Sequence, residues 1–113
     1  MESILTSIKK MLGIPVEEQA FDTTIIININ SALLEINLIG AGPEDPVQID
    51  GSETDWSLFE PSARALVQNL VYLHVKLIFD PPPTSFGIAA IKGQIESMSW
   101  KLNVVGDKGV SDA

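Results

Sequence analysis

The 113-residue chain contains no cysteine. That absence removes disulfides, thiol catalysis and thiolate metal sites together, and with them the small extracellular scaffolds that depend on disulfides. An intracellular or particle-bound setting is the expectation. Basic residues are scarce: 7 Lys and Arg stand against 15 Asp and Glu, a formal net charge of −8. So few cations on an acidic chain argue against autonomous nucleic-acid binding. No apolar run approaches the roughly 20 residues of a membrane span, so no membrane association is expected. Met1-Glu2-Ser3-Ile4 has neither the basic start nor the apolar core of a secretory signal. What remains is the composition of one globular domain. Hydrophobic residues make up 45% of the chain, enough at this length for a core without metal or disulfide staples.

The charge is uneven. Residues 1–60 hold 11 acids and 2 bases, whereas residues 61–113 hold 4 acids and 5 bases, giving −9 and +1. Either the first half is simply a well-solvated acidic surface, or the subunit is polarised and its halves meet different surroundings.

Four segments carry helical periodicity. Ile4, Leu5, Ile8, Met11 and Leu12 fall on one face of a helix over 3–12, with Gly13 and Pro15 to stop it. The second, 23–39, begins ambiguously. The Ile-Asn alternation of Ile25 to Asn30 favours a strand locally, but Ile26, Ile29, Leu33 and Ile36 continue a helical stripe, and a strand of that length would be unusual. Asp22 or Thr23 is the expected cap and Gly40 the stop. The third, 61–79, has Pro61 in its first turn and is apolar on most sides, as a central helix would be. After Asp80-Pro81-Pro82-Pro83, a fourth helix over 86–105 carries Ile88, Ile91, Ile95, Met98, Leu102 and Val105 at heptad-like spacing. Leu66, Leu70, Leu73 and Leu77 should meet Ile29, Leu33, Ile36, Ile91, Ile95 and Met98 in one core. The expected architecture is therefore all-α: a small bundle of about four helices in a domain spanning 1–105, a long acidic loop between the second and third helices, and a short polar C-terminal tail, 106–113.

Nothing in the sequence assembles a catalytic site. His74 is the only histidine and lies mid-helix among apolar residues, so a typical zinc or triad site cannot form around it alone. Glu44, Asp45, Asp50, Glu53 and Asp55 are acidic but lack the alternating spacing of a calcium loop. Gly40-Ala41-Gly42 has no third glycine and no lysine at Walker spacing. The serines have no neighbouring base, Lys9-Lys10 is too short for a nucleic-acid patch, and the triple proline reads as a structural corner. No enzyme activity, cofactor or metal is expected. The tryptophans, Trp56 and Trp100, are either core residues or interface anchors, a role in which tryptophan is enriched.

Two blocks carry a resemblance. One is Ser3-Ile4-Leu5-Thr6-Ser7-Ile8-Lys9-Lys10-Met11-Leu12-Gly13-Ile14 with Phe21-Asp22-Thr23 and the Ile/Asn-rich helix after it. The other is Val71-Tyr72-Leu73-His74-Val75-Lys76-Leu77-Ile78-Phe79-Asp80-Pro81-Pro82 with the later Glu96-Ser97-Met98-Ser99-Trp100-Lys101-Leu102. Together, over about residues 3–105, they resemble the head-tail connector (adaptor) proteins of tailed bacteriophages of Gram-positive hosts, related to the gp6-like connectors of long-tailed phages. The resemblance implies a helical, non-enzymatic virion protein, made in the host cytoplasm. Its copies would form a ring, usually of twelve, beneath the portal protein, joining it to head-completion or tail proteins around the DNA channel. The triple proline and the long acidic loop depart from the shorter versions of that pattern. Another small head-closure or tail-completion protein, or a cellular helical interaction module, is the alternative.

Within that expectation, Trp100, Lys101, Lys108, Trp56 and Phe59 are the candidate interface residues. Residues 100–113 would dock on a neighbouring subunit or the portal. The acidic side chains of Glu44, Asp45, Asp50, Glu53 and Asp55 would face the channel, where like charge keeps DNA from sticking, or the next ring.

Overall fold

The computed structural model describes residues 1–40 and 42–111, with side chains placed up to Val104. Among the described residues there are four α-helices and no strand: α1 (Ile4–Leu12), α2 (Asp22–Leu38), α3 (Arg64–Phe79) and α4 (Ser85–Ser111). A single 3-10 turn, Trp56–Leu58, interrupts the long connection between α2 and α3. The molecule is flat, 44 × 36 × 19 Å. α3 is central and packs against each of the other three helices, with α2 on one side and α4 on another.

Local chemistry sets the helix ends. Ser3 caps α1, its Oγ accepting from the Thr6 N–H at 3.1 Å. Gly13 closes α1 in the left-handed region at φ 80°, and the N–H of Ile14 reaches back to the Lys9 carbonyl at 2.9 Å, a closure that costs a residue with a Cβ far more than glycine. The ambiguous Ile/Asn stretch is helical, because Ile25, Ile29, Ala32, Leu33 and Ile36 then share one buried face. Tertiary burial here outweighs the β-propensity of the individual residues. Asp22 is not the cap but the first helical residue, following Phe21, and its carboxylate instead pairs with Lys9 Nζ at 2.8 Å.

Several boundaries differ from the sequence expectation: the starts of α1, α2 and α4 move by one residue, and three others also shift. α3 begins at Arg64 rather than Pro61, since Glu60 to Ala63 closes as a separate turn through Ala63 N–H and Glu60 C=O at 2.9 Å. α2 ends at Leu38, one residue early. α4 runs to Ser111, so most of the stretch expected to be a short polar tail has helical backbone. Gly106 and Gly109 weaken a helix by about 1 kcal/mol each but do not forbid it, and no proline follows.

The core gathers Ile4, Leu5 and Ile8 of α1, the inner face of α2, and Val67, Leu70, Val71 and Val75 of α3. Ile49, Trp56 and Phe59 from the connection and Leu102 from α4 complete it. Leu66, Ile95 and Met98 pack against it partly buried. Leu73 and Ile91 are buried outside this cluster and Leu77 is only half-buried, so the expected single leucine ladder is split. Val67, Val71 and Val75 are fully buried, and α3 packs most extensively on α2 and next on α4.

His74 sits half-buried on α3. Desolvation pulls its pKa below the usual 6.5, opposed by the nearby Glu35 carboxylate. The unfolded chain therefore binds the imidazole proton more readily than the folded one around and just below pH 6.5. This contribution to stability is complete above the unfolded value and declines as pH falls through 6.5 towards the lower folded value. Denaturant melts of the wild type should weaken between pH 7.5 and 5.5, and His74→Gln should flatten that slope. An identical slope in the variant would assign the dependence to other groups.

Candidate functional site

The connection between α2 and α3 is fastened at four points. Asn30 on α2 clasps the peptide group of Ile49: its Nδ2 donates to Ile49 C=O at 2.9 Å and its Oδ1 accepts from Ile49 N–H at 2.8 Å. Asn37 Nδ2 donates to the carbonyls of Pro43 and Glu44 at 3.2 and 3.3 Å. The Ile4 N–H donates to Thr54 C=O at 2.9 Å, beside an isolated antiparallel bridge between Ser3 and Asp55. Arg64 Nε donates to the carbonyls of Trp56 and Phe59 at 3.2 and 3.0 Å. Asn30, which ends the strand-like Ile/Asn run, and Asn37, two turns further along α2, are thus the helix side chains that hold the loop.

Gly42 adds a fifth constraint. It has φ 82°, and a Cβ there would lie 2.7 Å from Phe59 Cε1. Gly42→Ala faces both a left-handed backbone cost of about 1–2 kcal/mol and displacement of a buried ring. We expect a loss of at least about 1 kcal/mol in denaturant melts, and a change within experimental error would show that the loop relaxes freely around this position.

This pinning sorts the acidic residues. Glu44, Asp45, Asp50 and Glu53 are exposed on the outside of the fastened loop. Asp55 differs from them, because its Oδ1 accepts from the Ser57 N–H at 2.8 Å and caps the 3-10 turn. The hydrogen bonds from Ser57 hold its carboxyl below the ordinary carboxylate pKa. Asp55 therefore belongs to the fold of the loop rather than to a free acidic face. Among the described residues no group of His, Cys, Asp or Glu side chains is arranged to hold a metal ion, and no helix is long and apolar enough to cross a membrane.

The candidate interface residues separate as sharply. Trp56 is 1% exposed and Phe59 is 4% exposed, both inside the core. The indole Nε1 of Trp56 donates to Ser7 Oγ at 2.7 Å, and Ser7 Oγ donates to the Ser3 carbonyl at 2.7 Å. Trp56 and Phe59, expected at an interface, lie instead inside the core: Trp56 seats the loop on α1, and the Phe59 ring lies 6.4 Å from the indole. Trp100, by contrast, is 69% exposed on α4, with Lys101 exposed beside it. The side chain of Lys108, and the tail contacts expected of residues 105–113, lie outside the described side chains.

Exposure also reveals surfaces that the sequence pattern alone does not single out. On α2, Ile27, Leu34 and Leu38 are exposed, at 60%, 45% and 70%, on the side opposite the buried stripe. On α4, Phe86, Trp100 and Val104 are exposed on the side opposite Ile91 and Leu102. Small residues lie between them, and Ala90, Gly93, Gln94, Ser97, Met98 and Lys101 line a shallow open depression of about 330 Å³. The signal for these faces is the complement of each helical stripe: apolar residues left over once the core face has been assigned.

Comparison with known proteins gives a family. Residues 4–109 match the family described as phage connector protein. No curated protein and no solved structure matches the chain.

Proposed function

The chain belongs to the phage connector protein family, a structural connector of the phage head-tail junction, and from that premise we propose that its copies form a ring beneath the portal. The ring joins the portal to the head-completion or tail proteins and surrounds the path of the DNA. The protein acts by binding rather than by chemistry. The observation that carries this reading is the pair of apolar helix faces on α2 and α4, exposed on a chain that already has a complete core. Surplus apolar surface of that kind marks a subunit made to be covered by other proteins. The exposed carboxylates of Glu44, Asp45, Asp50 and Glu53 give the ring an acidic rim that repels phosphate.

The test is genetic and structural. A phage unable to make this chain should accumulate DNA-filled heads and separate tails, and supplying the chain in trans should restore joined particles. Joined, infectious particles without the chain would overturn the reading. For the isolated protein we expect no duplex-DNA binding at physiological salt, because a net charge of −8 opposes it. A salt-sensitive shift at micromolar concentration would contradict the acidic rim.

A further inference from the structure

We propose that the exposed face of α4 from one copy packs antiparallel against the exposed face of α2 from the next, and that this heterologous contact is the repeating bond between copies. The inference deepens the connector reading and rests on it for the presence of neighbouring copies.

Spacing is the first argument. On α2 the outward positions are Ile27, Ser31, Leu34 and Leu38, separated by 4, 3 and 4 residues. On α4 they are Gly93, Ser97, Trp100 and Val104, again separated by 4, 3 and 4, with Phe86 extending the same side. Both sets are the seam spacing of two helices that pack along their length. At about 1.5 Å per residue each set covers roughly 16 Å.

Volume is the second. Aligned antiparallel, Leu38 faces Gly93, Leu34 faces Ser97, Ser31 faces Trp100 and Ile27 faces Val104. Three of the four levels pair a large side chain with a small one, as interdigitated packing needs. The parallel alignment would set Ser31 on Ser97 and Leu34 on Trp100, leaving a gap beside a crowded level. Pairing α2 with α2 antiparallel would give Leu34 the small Ser31 but set Leu38 on Ile27 at both ends, and pairing it parallel would set each leucine on its own copy.

Charge is the third. The only charged side chains of α2 are Asp22 and Glu35, both acidic, and the exposed Glu44 and Asp45 follow it. A second α2 would meet like charge. α4 instead carries the exposed Lys92 and Lys101. In the antiparallel arrangement the flank bearing Glu35 lies along the flank bearing Gln94 and Lys101. Glu96 then falls on the opposite flank, one turn from Lys92 on its own helix, towards the side of α2 where Asn30 and Asn37 hold the loop. The acidic α2 side of one copy thereby meets the α4 side of the next, which carries Lys92 and Lys101 against a single acid, Glu96, up to Val104.

Geometry within the copy supplies the last step. The two faces lie on helices that flank α3, each turned away from the core. One copy can therefore use both at once, giving a head-to-tail contact that closes as a ring if the rotation allows it.

The absence of native cysteine makes the test clean. Chains carrying both Leu34→Cys and Ser97→Cys, and each single variant, are mildly oxidised as concentrated soluble protein and within assembled particles. The expected result is a ladder of covalent multimers from the double variant in at least one of these settings and none from either single variant. Leu38→Asp added to the double variant should cut the ladder at least tenfold while circular dichroism and the melting curve of the monomer stay unchanged. Dimers from Ser97→Cys alone would mean α4 pairs with itself, and would overturn the proposal. A cross-link to a different particle protein, or no cross-link in either setting, would overturn it too. If the ladder forms but heads and tails join without the chain, the connector reading fails and the contact stands. If the chain is required for joining but no ladder forms, the contact fails and the reading stands.

Discussion

Trp56→Ala should be the most damaging single substitution in the chain, with a loss of about 3–5 kcal/mol in denaturant melts. The indole is 1% exposed and lies among α1, α3 and the connection, so alanine leaves a large cavity with little freedom to collapse. The Trp56 Nε1–Ser7 Oγ bond is lost as well. Domains of this size hold about 5–15 kcal/mol in total, so the variant should retain only a fraction of the native margin. At roughly 4 °C per kcal/mol, its melting temperature should fall by about 12–20 °C. Trp56→Phe keeps an aromatic ring and removes the donor, and should cost much less. Trp100→Ala is the matched control. Its side chain is 69% exposed, and the monomer should lose no more than about 0.5 kcal/mol. Equal losses at the two positions would refute the division of labour between them.

That division is not legible in the sequence, and the reason is physical. Both tryptophans are flanked by polar neighbours, and both are compatible with a buried or an exposed ring. For Trp56, what decides is where the connection runs, and this depends on specific non-periodic hydrogen bonds: Asn30 to Ile49, Arg64 to Trp56 and Phe59, Ile4 to Thr54. Such pairings leave no periodic trace. The helices are legible because periodicity is local. Ile4, Leu5 and Ile8, the α2 stripe, and the Ile88–Leu102 seam of α4 all point inward as their spacing requires. The strand-like Ile/Asn run resolves as helix, with Asn30 and Asn37 serving the loop. The positions opposite the core on α2 and α4 repeat the same spacing, and only exposure in three dimensions distinguishes such a seam from chance apolar residues on a wet face. The acidic loop is visible as a charge cluster, but its members are not equivalent: Asp55 is a cap, and composition cannot show that.

Lys9→Ala should cost about 3 kcal/mol, at the lower end of the range for breaking a buried ion pair. In sequence Lys9-Lys10 is an unremarkable basic doublet, and the two lysines have opposite fates. Lys10 is exposed and pairs with Glu2 at the surface. Lys9 is 2% exposed, and its ammonium is surrounded: it meets Asp22 Oδ1 at 2.8 Å and donates to the carbonyls of Val16 and Glu18 at 2.9 and 2.5 Å. These contacts lash the 13–21 connection and the start of α2 to α1. Removing the ammonium leaves the Asp22 carboxylate without its counter-charge and two carbonyls without a donor. Asp22 keeps about a quarter of its side chain in water, which softens the penalty and sets the lower end of the range. Lys9→Met retains the aliphatic stem, so its loss isolates the charge from the packing. Lys9→Met combined with Asp22→Asn should recover at least about 1 kcal/mol relative to the sum of the single losses, since the double change removes both charges together. Lys10→Ala should stay within about 0.5 kcal/mol. Additive losses in the Lys9–Asp22 cycle, or equal costs at Lys9 and Lys10, would show that the pair does not tie α1 to α2.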